Sequence, residues 1–253
     1  MKLPFPVFTR LCEPYIKLSY VVTGGGVNRE IYDPIRNDTV IMIDVGLRMA
    51  KMGGVTISVD YIKYVMRYAR KYVTLFVVPD SWDFKQYMEN IARFIGFAKR
   101  LSDRDVDNMI PILPVHYFLL HADKYVAILS ELQELFPAVL AGVPSNMVTA
   151  SPTATFKCIR RQVICNHYIE AVTRDVVKRG FKTHVLGITR PTLDYVVHHR
   201  VVGVVSADTD KPHGRNKSKK ASRREYCQAF SEWLEEYEQP EPSEWLSTVL
   251  LMG

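Results

Sequence analysis

The chain has 253 residues, 47% of them hydrophobic and 24% charged, with a net charge of +6 and a pI of about 9.0. The length fits one large α/β domain, and the composition is ordinary for a soluble globular protein. No apolar run approaches the roughly 18 residues that span a bilayer, and the proline-broken N-terminus lacks a signal-peptide core, so we expect no membrane contact and a cytoplasmic location.

Short apolar runs rich in β-branched residues recur along the chain, and each is followed by a stretch with helical periodicity. Apolar runs without polar alternation are typical of strands buried in a parallel sheet. The predicted strands are Leu18–Val22, Thr39–Ile43, Val73–Val78, Met109–Val115, Ala138–Ala141, Thr183–Ile188 and Val201–Val205. The predicted helices are Ser58–Lys71, a helix capped by Asp83, Ala122–Leu135, Phe156–Arg179, Arg190–His199, Lys219–Tyr237 and Glu241–Leu250.

Alternating strands and helices over this length predict a barrel or a doubly wound sheet. The sequence lacks the glycine patterns of nucleotide-binding sheets, G-x-G-x-x-G and G-x-x-x-x-G-K-[ST], which favours the barrel. We therefore predict an α/β fold, a (β/α)8 TIM-like barrel, although only seven strands are recognised. A single domain is predicted over residues 1–253, with a basic loop at 211–224 and a C-terminal helical extension at 225–253.

Charge is unevenly distributed near the C-terminus. Lys211–Arg224 holds seven Lys or Arg residues and no acidic residue, whereas Glu225–Glu244 holds seven Glu residues and no Lys or Arg. A basic run suits a polyanionic partner such as nucleic acid, although a solvated loop before a solvated helix explains the same pattern. The candidate phosphate contacts are Lys211, Arg215, Lys217, Lys219 and Lys220.

Four cysteines are present, at positions 12, 158, 165 and 227. No C-x-x-C pair exists, so a structural zinc site is not expected. Cys158 and Cys165 are seven residues apart on one predicted helix, which places them on one buried face. The four cysteines are therefore predicted to be ordinary core thiols.

Three aspartates directly follow predicted strands. Asp44 follows Ile-Met-Ile, Asp80 follows Val-Val-Pro and Asp208 follows Val-Ser-Ala. In a (β/α) barrel the carboxyl ends of the strands meet at one face, so we expect the three carboxylates to lie together. Two close carboxylates support acid/base and nucleophilic chemistry at a glycosidic carbon, and a third can accept paired hydrogen bonds from the N–H edge of guanine. Each aspartate also has a structural explanation, as a helix cap or a turn residue.

The order and contexts of these residues resemble the tRNA-guanine transglycosylase superfamily, especially its shorter DNA-modifying relatives, which insert 7-deazaguanines. Asp44 in Ile-Asp-Val-Gly-Leu resembles the family's Asp-Ser-Gly-Gly-Phe segment, and Asp80 in Val-Val-Pro-Asp resembles its Pro-(Met)-Asp element. Residues 141–145 (Ala-Gly-Val-Pro-Ser) resemble the glycine-rich turn against the base, and 184–188 (His-Val-Leu-Gly-Ile) resemble a family strand. Asp208 in Val-Ser-Ala-Asp-Thr resembles the relatives' Ser-Val-Asp-Ser-Thr segment, and the resemblance covers about residues 40–216.

The resemblance implies a role for each matched residue. Asp208 would be the catalytic nucleophile, Asp44 the catalytic acid/base group at the exchanged base, and Asp80 the residue that reads the purine edge. Asp210 is the alternative nucleophile if the alignment slips by two residues. The remaining implied substrate-binding residues are His116, Gly142, Val143 and Gly187.

The sequence also departs from the family pattern. Val45 and Leu47 stand where the family has Ser and an aromatic residue, so stacking on the base is expected to differ. His116 stands where the tRNA enzymes have a Gln-Gly-type element, and it is either a base contact or a structural strand-end histidine. The family's C-terminal Cys-rich zinc element is absent from the sequence, which argues against standard tRNA use.

The implied function is that of a transglycosylase, a glycosyltransferase of the pentosyltransferase type. It would exchange guanine for a 7-deazaguanine base in nucleic acid, a queuosine- or archaeosine-like modification, through a covalent Asp-glycosyl intermediate. DNA is favoured over tRNA, and neither a metal nor an organic cofactor is required. Two alternatives stay open: a catalytically inactive nucleic-acid-binding relative, and a barrel enzyme acting on a small nucleoside or sugar phosphate. The oligomeric state is also open, a homodimer included.

Overall fold

The computed structural model describes residues 1–10, 12–23, 26–29, 36–45, 59–81, 83–145, 147–151, 154–157, 162–209 and 222–250. The strands are β1 (Val7–Arg10), β2 (Tyr15–Thr23), β3 (Gly26–Arg29), β4 (Val40–Asp44), β5 (Thr74–Val77), β6 (Met109–Pro114), β7 (Leu140–Pro144), β8 (Met147–Ser151), β9 (Ala154–Lys157), β10 (Lys182–Leu186) and β11 (Val204–Asp208). The helices are α1 (Val59–Ala69), α2 (Phe84–Ala98), α3 (Asp103–Val106), α4 (Phe118–Gln133), α5 (Gln162–Lys178), α6 (Arg190–His198), α7 (Arg223–Leu234) and α8 (Pro242–Leu250).

Eight parallel strands close into a barrel, which confirms the predicted (β/α)8 TIM-like fold. Around the barrel the order is β1, β2, β4, β5, β6, β7, β10 and β11, and parallel pairing of β1 with both β2 and β11 closes the ring. β3 pairs with β2 in antiparallel fashion, and β8 and β9 form a separate antiparallel hairpin after β7. All eight barrel strands therefore end at the same face.

The barrel strand that the sequence did not reveal is β1; β3, β8 and β9, which lie outside the barrel, were not predicted either. β1 has four residues and is joined to β2 through residues 11–14, so no helical pattern separates the two strands. The predicted helix at Phe156–Arg179 is wrong at its start, because Ala154–Lys157 pairs with β8 and the helix begins at Gln162. The predicted cap of α2 is confirmed, since the Asp83 carboxylate accepts a hydrogen bond from the Gln86 amide at 2.8 Å.

Apolar side chains fill two regions, one between barrel and helices and one inside the barrel. The inner cluster comprises Phe8, Tyr15, Val40, Met42, Leu75, Val77, Ile110, Ile112, Leu140, Val205, Trp245 and Val249. Trp245 and Val249 belong to α8, which therefore covers the end of the barrel opposite the strand-end aspartates. Trp245 is 2% exposed, donates from Nε1 to the Val205 carbonyl oxygen at 2.6 Å and packs edge-on against Phe8 and Tyr15.

The prediction that the cysteines are ordinary thiols is wrong. Cys12 and Cys227 form a disulfide with a Cα–Cα distance of 5.4 Å, and Cys165 is disulfide-bonded as well. Cys158, its predicted companion on one helix face, lies outside the described residues. The Cys12–Cys227 bond joins positions 215 residues apart, which only barrel closure brings together. It ties α7 to the segment that follows β1.

None of the helices in the described ranges combines the length and the apolar character needed to cross a membrane.

Candidate functional site

The barrel places polar side chains at the carboxyl ends of its strands, where (β/α)8 enzymes hold their reactive groups. Asp44 is the last residue of β4 and Asp208 the last residue of β11. Asp80 follows β5 and His116 follows β6, and both side chains are buried. Each of these residues was predicted from the sequence as part of one site.

A buried lysine joins two of these aspartates. Lys17 Nζ lies 2.6 Å from Asp208 Oδ2 and 2.9 Å from Asp44 Oδ2, and its side chain is 2% exposed. Because both oxygens contact one nitrogen, they are at most about 5.5 Å apart, comparable to the carboxylate separation in retaining glycosidases. The predicted pairing of Asp44 with Asp208 therefore has a geometry suited to nucleophile and acid/base roles.

The second oxygen of Asp208 is also bound. Oδ1 accepts a hydrogen bond from the Gly187 amide at 3.0 Å and lies 3.0 Å from His184 Nε2. The other ring nitrogen of His184 lies 2.8 Å from Ser206 Oγ, which fixes the orientation of the imidazole. Asp208 is therefore held by β2, by β10 and by the turn after β10.

These contacts decide the ionisation of Asp208. Burial alone raises the pKa of this carboxyl, but the charge of Lys17 and the hydrogen bond from His184 outweigh burial and lower the pKa below its ordinary value of 3.8. Asp208 is consequently a carboxylate at neutral pH. That is the form in which an aspartate can attack carbon.

Asp80 and His116 form a second buried pair. His116 Nε2 lies 2.6 Å from Asp80 Oδ2, so the strand-end histidine contacts the carboxylate that was predicted to read the purine edge. Burial raises the pKa of Tyr61 well above its ordinary value of 10.0, and the charges of both Asp44 and Asp80 add to that rise. Both carboxylates therefore lie near the Tyr61 ring.

The three remaining candidate substrate contacts occupy different settings. Gly187 has φ of 68°, a conformation that favours glycine, and its amide binds Asp208 while its carbonyl oxygen accepts from Ser145 Oγ at 2.5 Å. Gly142 lies in a tight gap, since a Cβ there would come within 2.9 Å of Ile112 Cγ2. Val143 is fully buried in the cluster that faces the helices, so its side chain points away from the barrel interior.

The candidate phosphate contacts at 211, 215, 217, 219 and 220 lie outside the described residues, as do the alternative nucleophile Asp210 and the divergent Leu47. Thr209, which precedes the basic segment, and Arg223 near its C-terminal end are nevertheless described. The Thr209 amide donates to the Phe8 carbonyl oxygen at 2.9 Å, and Arg223 forms an ion pair with Glu13 at 3.2 Å. The chain thus leaves and rejoins the described structure next to β1 and the residues that follow it.

Sequence reasoning missed Lys17 and the contact that His184 makes with Asp208. Lys17 is the one charged residue in β2, and a lone lysine in an apolar strand of a parallel barrel was an available signal. Within the described ranges, no group of three or more His, Cys, Asp or Glu side chains is arranged to hold a metal ion. The described site therefore offers the carboxylates of Asp44 and Asp208 together with the buried ammonium group of Lys17.

Comparisons of the chain with protein-family models, with curated proteins and with solved structures gave no match.

Proposed function

We propose that this protein is a base-exchanging transglycosylase that replaces guanine in nucleic acid with a 7-deazaguanine, using Asp208 as nucleophile. The main support for the proposal is that two strand-end carboxylates, Asp44 and Asp208, both contact the buried ammonium group of Lys17. The sequence resemblance to the tRNA-guanine transglycosylase superfamily supplies the substrate class. The closed barrel supplies the scaffold on which such a site is built.

In the proposed first step an Asp208 oxygen attacks C1′ of a guanosine or deoxyguanosine. The new C–O bond forms as the C1′–N9 bond breaks, the electron pair leaves with the base, and a proton passes from Asp44 to guanine. In the second step the incoming base attacks C1′ and displaces the Asp208 carboxylate, while Asp44 takes up its proton. The low pKa of Asp208 favours both steps, since it is ionised before attack and is a good leaving group afterwards.

The Asp80–His116 pair is proposed to read the base. One Asp80 oxygen is engaged by His116, which leaves the other oxygen to accept an N–H from the purine edge. A histidine at this position differs from the Gln-Gly-type element of the tRNA enzymes. Because His116 Nε2 already contacts Asp80, this histidine is proposed to act on the base by fixing the Asp80 carboxylate.

Nucleic acid is the proposed polymer, with DNA favoured over tRNA. The seven Lys or Arg residues of Lys211–Arg224 follow Asp208 closely in sequence and suit contacts to phosphates near the scissile glycosidic bond. The target nucleotide would have to leave its base stack to reach the strand ends of a barrel. DNA is preferred because the segment around Asp208, Val-Ser-Ala-Asp-Thr, resembles the Ser-Val-Asp-Ser-Thr segment of the DNA-modifying relatives.

The test is incorporation of radiolabelled guanine, and of a 7-deazaguanine such as 7-cyano-7-deazaguanine, into DNA, tRNA and free guanosine. Wild-type protein should label one polymer, and Asp208→Asn should lower the rate on the order of 10⁴-fold because an amide cannot form the ester. The matched control is Asp123→Asn, which changes a carboxylate whose side chain is 95% exposed.

Three outcomes would contradict the proposal in different ways. Equal activity in wild type and Asp208→Asn would exclude Asp208 as nucleophile. Salt-sensitive binding of nucleic acid without any exchange would indicate a binding protein that has lost catalysis. Exchange into free guanosine alone would indicate an enzyme of small nucleosides.

A further inference from the structure

Lys17 lies deeper in the barrel than Asp44 and Asp208, the two catalytic candidates. It is the third residue of β2, and its register partner on β4 is Met42, two residues before Asp44. Tyr15, two residues earlier on the same face of β2, belongs to the inner apolar cluster. The side chain of Lys17 is only 2% exposed, and among the described residues Asp44 and Asp208 link its charge to a substrate at the strand ends.

The charged groups around Lys17 come from several strands. Asp44 on β4 and Asp208 on β11 contact its ammonium group, His184 on β10 contacts Asp208, and Arg10 is its register partner on β1. Tyr61 from α1 is close enough to Asp44 for that charge to raise the pKa of its phenol. The Asp208 carboxylate is buried and the Asp44 side chain is 20% exposed, and two carboxylates this close repel each other unless a cation or a shared proton compensates one charge.

We propose that Lys17 is a positioning residue that supplies one fixed positive charge to both carboxylates, so that negative charge moves from Asp208 to Asp44 during base exchange. This inference rests on the proposed function, since it concerns which carboxylate of the same site carries the negative charge during base exchange. It assigns Lys17 no contact with substrate and no proton to transfer.

The charge balance of the step explains why one shared cation suffices. In the proposed step Lys17 carries +1 and Asp208 carries −1 before attack, and the acid/base role assigned to Asp44 requires Asp44 to hold the proton that goes to the base. Attack of Asp208 on C1′ forms a neutral ester, the C1′–N9 bond breaks, and the proton of Asp44 goes to the departing base, which leaves Asp44 with −1. The site has the same net charge before and after, so no unbalanced charge forms in a buried environment.

The geometry around the ammonium group fits this transfer. The two contacts of Lys17 are similar in length, 2.6 Å to Asp208 and 2.9 Å to Asp44, so either carboxylate can be the ionised partner without movement of the lysine. Preorganised charge of this kind lowers a barrier because it needs no rearrangement as charge develops. The lowered pKa of Asp208 is the expected signature of the starting arrangement.

The experiment compares Lys17→Met, which removes the charge at similar volume, with Lys17→Arg, which keeps it. Lys99→Met is the matched control, because the side chain of Lys99 is 55% exposed. We expect Lys17→Met to lower the rate of base exchange at neutral pH on the order of 10²- to 10³-fold, the range found for losing one preorganised charge-stabilising group. The KM for the polymer should stay within a factor of about three because Lys17 does not touch it.

A titration provides a readout that does not depend on activity. With ¹³C-labelled aspartate, the Asp208 carboxyl carbon, assigned by its loss in Asp208→Asn, should titrate below pH 3.8 in wild type and in Lys17→Arg. In Lys17→Met it should titrate above that value, and the acid limb of the pH–rate profile should move upward with it. If Lys17→Met does not fold, the proposal is still open to refutation, because titration of Asp208 above pH 3.8 in wild type or in Lys17→Arg would overturn it.

The outcomes separate this inference from the proposed function. An unchanged rate, pH profile and Asp208 titration in folded Lys17→Met would overturn the role of Lys17 while leaving base exchange intact. Absence of exchange in wild type, together with the predicted titrations, would sink the proposed function and reduce Lys17 to a counter-charge for a different reaction. Titration of Asp208 above pH 3.8 in wild type would overturn the inference whatever the enzyme does.

Discussion

Replacing Trp245 tests whether α8 is part of the barrel core or an appendage. The indole is 2% exposed, and its ring centroid lies 6.0 Å from that of Phe8 and 5.8 Å from that of Tyr15. A buried Trp→Ala change costs about 3–5 kcal/mol, and each edge-on aromatic pair adds about 0.5–1.5 kcal/mol beyond area burial. We therefore expect Trp245→Ala to lower the free energy of unfolding by about 4–5 kcal/mol, or Tm by on the order of 10 °C.

Trp245→Phe separates packing from hydrogen bonding. It keeps an aromatic ring against Phe8 and Tyr15 but removes the Nε1 donor to the Val205 carbonyl oxygen, at a cost of about 1–3 kcal/mol. Leu250→Ala is the control on the same helix, because Leu250 is 41% exposed and should change stability by less than about 1 kcal/mol. Urea unfolding measures all three variants. A loss below 1 kcal/mol in Trp245→Ala would refute the assignment of α8 to the barrel interior.

Three further predictions concern the disulfide, the packing around β7 and the response to pH. Replacing Cys12 and Cys227 together by Ser should lower the free energy of unfolding by about 2–5 kcal/mol, and an unchanged Tm would mean that the bond does not form. Gly142→Ala should lower the free energy of unfolding by about 1–3 kcal/mol through overpacking. Gly96→Ala, at a position with open space in helix α2, should raise it by up to about 1 kcal/mol. Equal effects of the two substitutions would contradict the close packing at Gly142. Because the folded pKa of Asp208 is lowered, its contribution to stability is fully present above pH 3.8 and is lost as pH falls further, so wild type should lose stability relative to Asp208→Asn only in that acidic range. A difference that shrinks already between pH 7 and 5 would contradict the ion pairing of Asp208.

The barrel could be predicted because its strands are buried on both faces and therefore form continuous apolar runs. β1 escaped recognition because it contributes only four residues and no helical pattern separates it from β2. The start of α5 was misassigned because no glycine or proline separates β9, which ends at Lys157, from the helix that begins at Gln162. The end of the helix at Lys178 was predicted to within one residue, because Gly180 follows it.

In the candidate site, too, some residues could be predicted from the sequence and some contacts could not. Asp44, Asp80 and Asp208 could be found because each directly follows an apolar run, and parallel strands must bring such positions to one face. The sequence did not show that Lys17 contacts Asp208 or that Cys12 is bonded to Cys227. Both contacts depend on closure of the barrel between β1, β2 and β11. The lone lysine in β2 was nonetheless visible, and a buried charge in an apolar strand calls for a partner of opposite charge.

The covalent glycosyl–enzyme can be trapped and located. Wild-type protein is incubated, without an incoming base, with guanine-containing DNA or tRNA that carries the label on its phosphate backbone, because guanine itself departs. The protein should retain the label after denaturation, and mass spectrometry should map it to the peptide containing Asp208. Asp208→Asn should retain none, and Asp123→Asn should match wild type. Label on Asp44, Asp80 or Asp210, or exchange that proceeds with no trapped adduct, would contradict attack of Asp208 on C1′.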